Sequence, residues 1–146
     1  MEYINRPNYL EKIIPFIDKP VVKILTGMRR VGKTTLLKII NEKILKDVKE
    51  KNKIYINFES LEFFYIRNEK DFVEYLTPLL KKIKGKIYFF FDEIQLVKNW
   101  EKVINGLRVA FDCDIYITGS NASLLSGALA TYLTGRYLQI KMHPLS

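Results

Sequence analysis

The sequence predicts an α/β fold: a doubly wound, mainly parallel five-stranded sheet flanked by helices. Three observations carry the prediction. Short runs of β-branched and aromatic residues recur along the chain, as strands buried on both faces require. Segments with apolar residues at three- and four-residue steps lie between them. A glycine-bearing loop joins the first run to the first such segment. Strand–helix alternation with connections this long means βαβ units.

The runs are Val21-Val22-Lys23-Ile24-Leu25, Lys53-Ile54-Tyr55-Ile56-Asn57-Phe58, Lys86-Ile87-Tyr88-Phe89-Phe90-Phe91 and Asp114-Ile115-Tyr116-Ile117. A fifth, Tyr137-Leu138-Gln139-Ile140-Lys141-Met142, alternates and reads as an edge strand. The first helical face is Leu37, Ile40, Ile44 and Val48, and the second is Phe72, Leu76, Leu79 and Ile83. Pro78 inside that second face predicts a kink or a break. Val103, Leu107 and Phe111 form a third face. Leu124, Leu125, Ala128 and Leu129 form a fourth, with Asn121 or Ser123 as its cap. The first 20 residues, with Pro7, Pro15 and Pro20, read as a lead-in crossing the sheet edge.

Composition narrows the class. A chain of 146 residues suits one domain, residues 1–146. At 48% hydrophobic and 13% aromatic it can build a core, which excludes a disordered chain. Cys113 is the one cysteine, so an internal disulfide and a Cys-rich zinc site are excluded. The N-terminal residues lack the basic, apolar, small-residue order of a signal peptide. No apolar run reaches 18 residues. A cytoplasmic location with no membrane association is therefore expected. The net charge is +8, of which residues 1–50 carry +5, residues 51–97 +1 and residues 98–146 +2. A Lys- and Ile-rich composition explains this excess as readily as a polyanionic partner does.

Gly27-Met28-Arg29-Arg30-Val31-Gly32-Lys33-Thr34 fits G-x-x-x-x-G-K-[ST] at every fixed position, after a strand and at the opening of a helix. Glycines allow the backbone to approach a ligand closely. Loop amides and the helix N-terminus would then cradle phosphate oxygens. The candidate nucleotide-binding residues are Gly27, Arg29, Arg30, Val31, Gly32, Lys33, Thr34 and Thr35. Lys33 would reach the β- and γ-phosphates of ATP, and the Thr34 hydroxyl would ligate Mg²⁺. Arg29 and Arg30 would face phosphate, a neighbouring subunit or plain solvent.

The third strand ends in Asp92-Glu93. In open α/β sheets ligands bind beyond the carboxyl ends of strands, so Asp92 is placed to hold Mg²⁺. Glu93 would orient and polarise the attacking water as general base. One more strand, residues 53–59, lies between the phosphate loop and Asp92, and this spacing places the acidic strand beyond an inserted strand. With the glutamate, this resembles the ATPase branch of P-loop proteins that has an additional strand and a catalytic glutamate. The GTPase branch is disfavoured: Glu93-Ile94-Gln95 follows Asp92 where D-x-x-G would be needed, and no N-K-x-D occurs. The fourth strand ends Ile117-Thr118-Gly119-Ser120-Asn121. Ser120 and Asn121 are both placed to sense the γ-phosphate, and register does not choose between them. Arg136, after Leu133-Thr134-Gly135, could act on a γ-phosphate in cis or in trans, or simply follow a capped helix.

The ordered set T-G-M-R-R-V-G-K-T, Y-I-N-F-E, F-D-E-I-Q-x-V-x-x-W-E, Y-I-T-G-S-N, L-T-G-R and M-H-P-L-S resembles one family over nearly the whole chain. It is similar to the N-terminal ATPase domain of archaeal and bacterial AAA-type ATPases that carry a C-terminal domain of unknown function. The resemblance implies ATP and Mg²⁺ at Lys33, Thr34 and Asp92, with Glu93 as hydrolytic base. It also singles out Asn57, Phe58, Glu59, Gln95, Trp100 and Glu101, with Glu59 expected to pair with an arginine. Family members continue past Pro144-Leu145-Ser146 into a lid or winged-helix region, so a truncated core is expected. Arg6 and Tyr9 are candidates for adenine contact. The expected function is Mg²⁺-dependent ATP hydrolysis coupled to a C-terminal effector domain or a homo-oligomer. The competing readings are a nucleotide-gated switch with little turnover and a DNA-associated motor component.

Overall fold

The computed structural model describes residues 7–120, 124, 131, 133 and 135–144. Five strands form one parallel sheet: β1 (Val22–Thr26), β2 (Lys53–Asn57), β3 (Ile87–Asp92), β4 (Cys113–Gly119) and β5 (Tyr137–Lys141). Their spatial order is β2-β3-β4-β1-β5. Contrary to the expectation from residues 53–59, the strand between β1 and the acidic β3 is β4, and β2 lies at the outer edge. Burial explains the placement. β3 is buried along its whole length and β4 beyond its first residue, whereas only alternate residues of β2 are buried. β5 occupies the other edge, as its alternation predicts.

Among the described residues, four helices flank the sheet: α1 (Pro7–Ile13), α2 (Lys33–Ile39), α3 (Glu69–Lys82) and α4 (Trp100–Ala110). They cover two faces. On one, α3 and α4 bury Phe72, Leu76, Trp100, Val103 and Leu107 against Ile24, Phe89, Phe91, Ile115 and Ile117. On the other, α1 and α2 bury Ile13, Leu36 and Leu37 against Leu25, Tyr88, Phe90 and Tyr116. The period-2 alternation of strand side chains makes this division. It also assigns Asp92, in phase with Tyr88 and Phe90, to the face of α2.

Three elements differ from expectation. The proline-bearing lead-in includes a helix, α1, whose Ile13 is fully buried. The helical face continued from Leu37 and Ile40 takes in Leu45 rather than Ile44. A π-turn over Ile40–Ile44, closed by Leu45 N–H donating to Ile40 O at 2.9 Å, advances the phase by one residue. Leu45 is buried and Ile44 is exposed as a result. α3 runs without a break through Pro78. Pro78 and Glu74, whose carbonyl loses its donor, are both exposed, so solvent can satisfy that carbonyl. The fourth expected helix and its caps, Asn121 and Ser123, lie largely outside the described residues, although Leu124 and Leu133 are buried in the core.

Candidate nucleotide site

The connection leaving β1 runs to the far edge strand β2, and the one leaving β4 runs to β5 on the opposite side. Such a reversal opens a crevice at the carboxyl ends of the two strands. The loop 27–32 leaves β1 into this crevice and turns into α2 at Lys33. Its backbone takes positive φ at Gly27 (148°), Arg30 (68°) and Gly32 (96°). Gly27 also needs to be glycine for space: a Cβ there would lie 2.5 Å from the backbone oxygen of Met142. Met142 N–H donates to Thr26 O at 2.7 Å, so the loop and the segment after β5 are held together. A cavity of about 320 Å³ opens here, bordered by Gly27, Met28, Ser120, Lys141 and His143.

Lys33 is buried at the floor of the loop. Its Nζ donates to Gly27 O and, at 2.9 Å, to Ser120 Oγ, and lies 3.6 Å from Glu93 Oε2. Burial pushes its pKa down, and the nearby Glu93 carboxylate opposes that shift. Ser120 in turn donates to Glu93 Oε1 at 2.7 Å. Gln95 Nε2 donates to the same oxygen at 2.8 Å. Glu93 itself has left-handed backbone, φ 58°, which turns the chain sharply after β3.

Asp92 is fully buried, and desolvation raises its pKa against hydrogen bonding from Thr118 and the effect of Thr34. Thr118 donates to Asp92 Oδ1 at 2.5 Å. The same hydroxyl accepts from Glu93 N–H at 2.9 Å. Asp92 Oδ2 is buried without a hydrogen-bond partner. Thr34 lies close enough to favour the charged carboxyl but makes no well-formed hydrogen bond to that oxygen.

The remaining sequence candidates divide. Val31 is buried, and Gly32, Thr34 and Thr35 are half-buried. Arg29 and Arg30 are exposed, and Arg29 forms an ion pair with Glu59, whose backbone N–H donates to Asn57 Oδ1 at 3.0 Å. Phe58 and Trp100 belong to the core on the α3–α4 face. Tyr9 Oη accepts from His143 N–H at 2.9 Å, next to the cavity. Arg6 and Asn121 lie outside the described residues. Arg136 immediately precedes β5, where Tyr137 is in register with Val22 at the start of β1. The five-residue length of β1 separates that end from the phosphate loop, about 16 Å at the rise of a strand. An arginine side chain does not span this, so Arg136 cannot reach a γ-phosphate in cis.

Sequence reasoning did not assign a role to Thr118. Its signal was present: a hydroxyl inside a strand otherwise buried by apolar residues must find a partner. Gly119 was missed for a related reason. A Cβ there would lie 2.5 Å from Leu124 Cδ2 and 3.0 Å from Gln95 Oε1, a long-range contact that spacing does not reveal.

The profile of the family described as "AAA domain" matches residues 19–146. The chain belongs to this AAA domain family. Relatives of the AAA domain include an uncharacterised Haemophilus influenzae protein, 45% identical over 144 residues, which are 98% of this chain and 36% of that one. An uncharacterised Methanocaldococcus jannaschii protein is 41% identical over 128 residues, 86% of this chain and 27% of that one. The chain therefore spans about a third of the length of the curated relatives it matches. Two solved structures share its fold. One is the structure of Drosophila ORC bound to AT-rich DNA and Cdc6, with TM-score 0.61 at 10% identity, covering 95% of this chain and 54% of that one. The other is C. elegans PCH-2, with TM-score 0.57 at 15% identity, covering 92% and 40%. No helix among the described residues is long and apolar enough to cross a membrane.

The residues of this AAA domain fit a nucleotide with Mg²⁺. The orphaned Asp92 Oδ2 is a hard oxygen donor, and with the Thr34 hydroxyl near the same carboxyl it would suit a hard cation such as Mg²⁺. Gly32, where an added Cβ would meet only Met142 Cε at 3.9 Å, would leave room for phosphate oxygens beside the loop amides.

Proposed function

We propose that the chain is a Mg²⁺-dependent ATPase core that drives a neighbouring domain or partner. The observation that carries this is the linked set Lys33–Ser120–Glu93 beside an unpartnered, buried oxygen of Asp92. Thr34 and Asp92 would hold Mg²⁺, which when bound offsets charge on the β- and γ-phosphates. Loop amides from Gly27 to Lys33 bind and orient the phosphates. Lys33 exchanges its contacts with Gly27 O and Ser120 for phosphate oxygens. Glu93, relieved of the Lys33 ammonium and held by Ser120 and Gln95, would then accept a proton from an attacking water. Ser120, which links Lys33 to Glu93, would sense the γ-phosphate.

Turnover of ATP by the purified full-length protein is the test. Lys33→Ala is expected to abolish tight nucleotide binding. Glu93→Gln is expected to keep binding and lose at least 100-fold in turnover, the roughly 10²–10⁴-fold scale of general-base catalysis. Undiminished hydrolysis in Glu93→Gln would remove that residue from the mechanism. Tight binding without turnover in the wild-type protein would make the chain a nucleotide-gated switch instead.

A further inference from the structure

We propose that Thr118 is a positioning residue that aims both acidic side chains of the site with one hydroxyl; this rests on the Mg²⁺-dependent nucleotide reading above. β4 stands between β1 and β3, and its register places Ile117 opposite Phe91, so Thr118 lies beside Asp92. Its side chain is fully buried, on the face that also carries Tyr116.

The hydroxyl has one proton and two lone pairs. The proton goes to Asp92 Oδ1 at 2.5 Å, which holds the carboxyl so that Oδ2 is left for a ligand. A lone pair accepts from Glu93 N–H at 2.9 Å. That bond fixes the peptide at a residue whose φ of 58° is sparsely populated by side chains with a Cβ. Asp92 and Glu93 are consecutive, so extended backbone would send their side chains to opposite faces. The left-handed turn at Glu93 redirects the second one, and its Oε2 arrives 3.6 Å from Lys33 Nζ. Thr118 thus leaves the metal-facing oxygen free and also holds the turn that returns the proposed base to the crevice. It touches neither phosphate nor water itself.

The test measures binding of a fluorescent ADP analogue to the full-length protein across a Mg²⁺ titration and in excess chelator. Thr118→Val keeps the shape and removes both hydrogen bonds, whereas Thr118→Ser keeps the hydroxyl. Thr118→Val is expected to raise the Mg²⁺ midpoint roughly 10–100-fold, the scale of lost outer-shell partners. Its affinity in chelator should stay at the wild-type value, and Thr118→Ser should hold the wild-type midpoint. An unchanged midpoint in Thr118→Val, or an equal rise in both variants, would overturn the proposal. So would an equal loss of affinity in chelator, which marks a merely structural role. Should Thr118→Val fail to fold, Thr118→Cys is used, whose weak donor predicts a rise in the same direction; a wild-type midpoint there would also overturn it. A wild-type protein whose nucleotide affinity ignores Mg²⁺ would overturn the underlying reading and this proposal with it.

Discussion

A buried carboxylate with one oxygen unpartnered, as at Asp92, is a stability cost. Burial raises the pKa of Asp92, so the folded state binds protons more readily than the unfolded one. By linkage, stability then falls as pH rises from the ordinary carboxylate value through the raised folded one. Asp92→Asn has no proton to lose. Without nucleotide it is expected to raise the thermal midpoint at pH 7 by about 2–4 °C, the response of a domain this size to roughly 1 kcal/mol. The gain should vanish in acid, where Asp92 is protonated, and Mg²⁺ dependence of binding should be lost. A lower midpoint at pH 7 would show that Asp92 is a net stabiliser. Asp92 and Glu93 were legible in the sequence because an apolar run that ends in two carboxylates is conspicuous. Thr118 was not, because a single hydroxyl in a strand declares a need for partners without naming them. The side of the sheet on which Arg136 lies depends on pairing with a strand more than 100 residues earlier, which local pattern does not encode.

At the scale of elements, continuous β-branched and aromatic runs located β1 to β4 and alternation located β5, but the continuous run of β2 did not reveal that it is an edge strand buried only at alternate residues. The π-turn after α2 could not be read in this way, since it changes the period on which helical reading depends. The opposite end of the sheet from the site holds a second polar cluster. Lys23 and Asp114 are both buried and paired at 2.5 Å, with Tyr116 Oη donating to Asp114 Oδ2 at 2.6 Å and Asp18 N–H donating to the same oxygen at 2.8 Å. Burial lowers the Lys23 pKa, and Asp114 counteracts the shift. The cluster ties the lead-in after α1 to β1 and β4. Asp114→Asn strands a buried ammonium and is expected to cost about 3–5 kcal/mol, while Lys23→Met combined with Asp114→Asn should recover most of it. Denaturant midpoints measure both. Equal losses in the single and double variants would place the cost in the hydrogen bonds from Tyr116 and Asp18 instead.

Over the whole molecule, the two ends of the sheet have separate tasks. The carboxyl ends of β1, β3 and β4 gather the candidate site residues, while Arg136 stands exposed beside the amino ends. If Arg136 acts on a γ-phosphate, that phosphate belongs to another copy of the chain. Arg136→Ala and Glu93→Gln proteins, each inactive alone, are then expected to regain ATPase activity when mixed. Each mixed interface would pair an intact Glu93 with an intact Arg136. Mixtures that stay inactive under conditions of subunit exchange would sink the trans role.

The contact between Gly27 and Met142 has a mechanical consequence. The phosphate loop abuts the main chain where it emerges from β5, with no side chain between them to absorb movement. Residues 142–144 and the loop are therefore in series: what pulls on one displaces the other. Filling the loop would then be felt at residues 142–144, and displacing those residues would be felt in the loop.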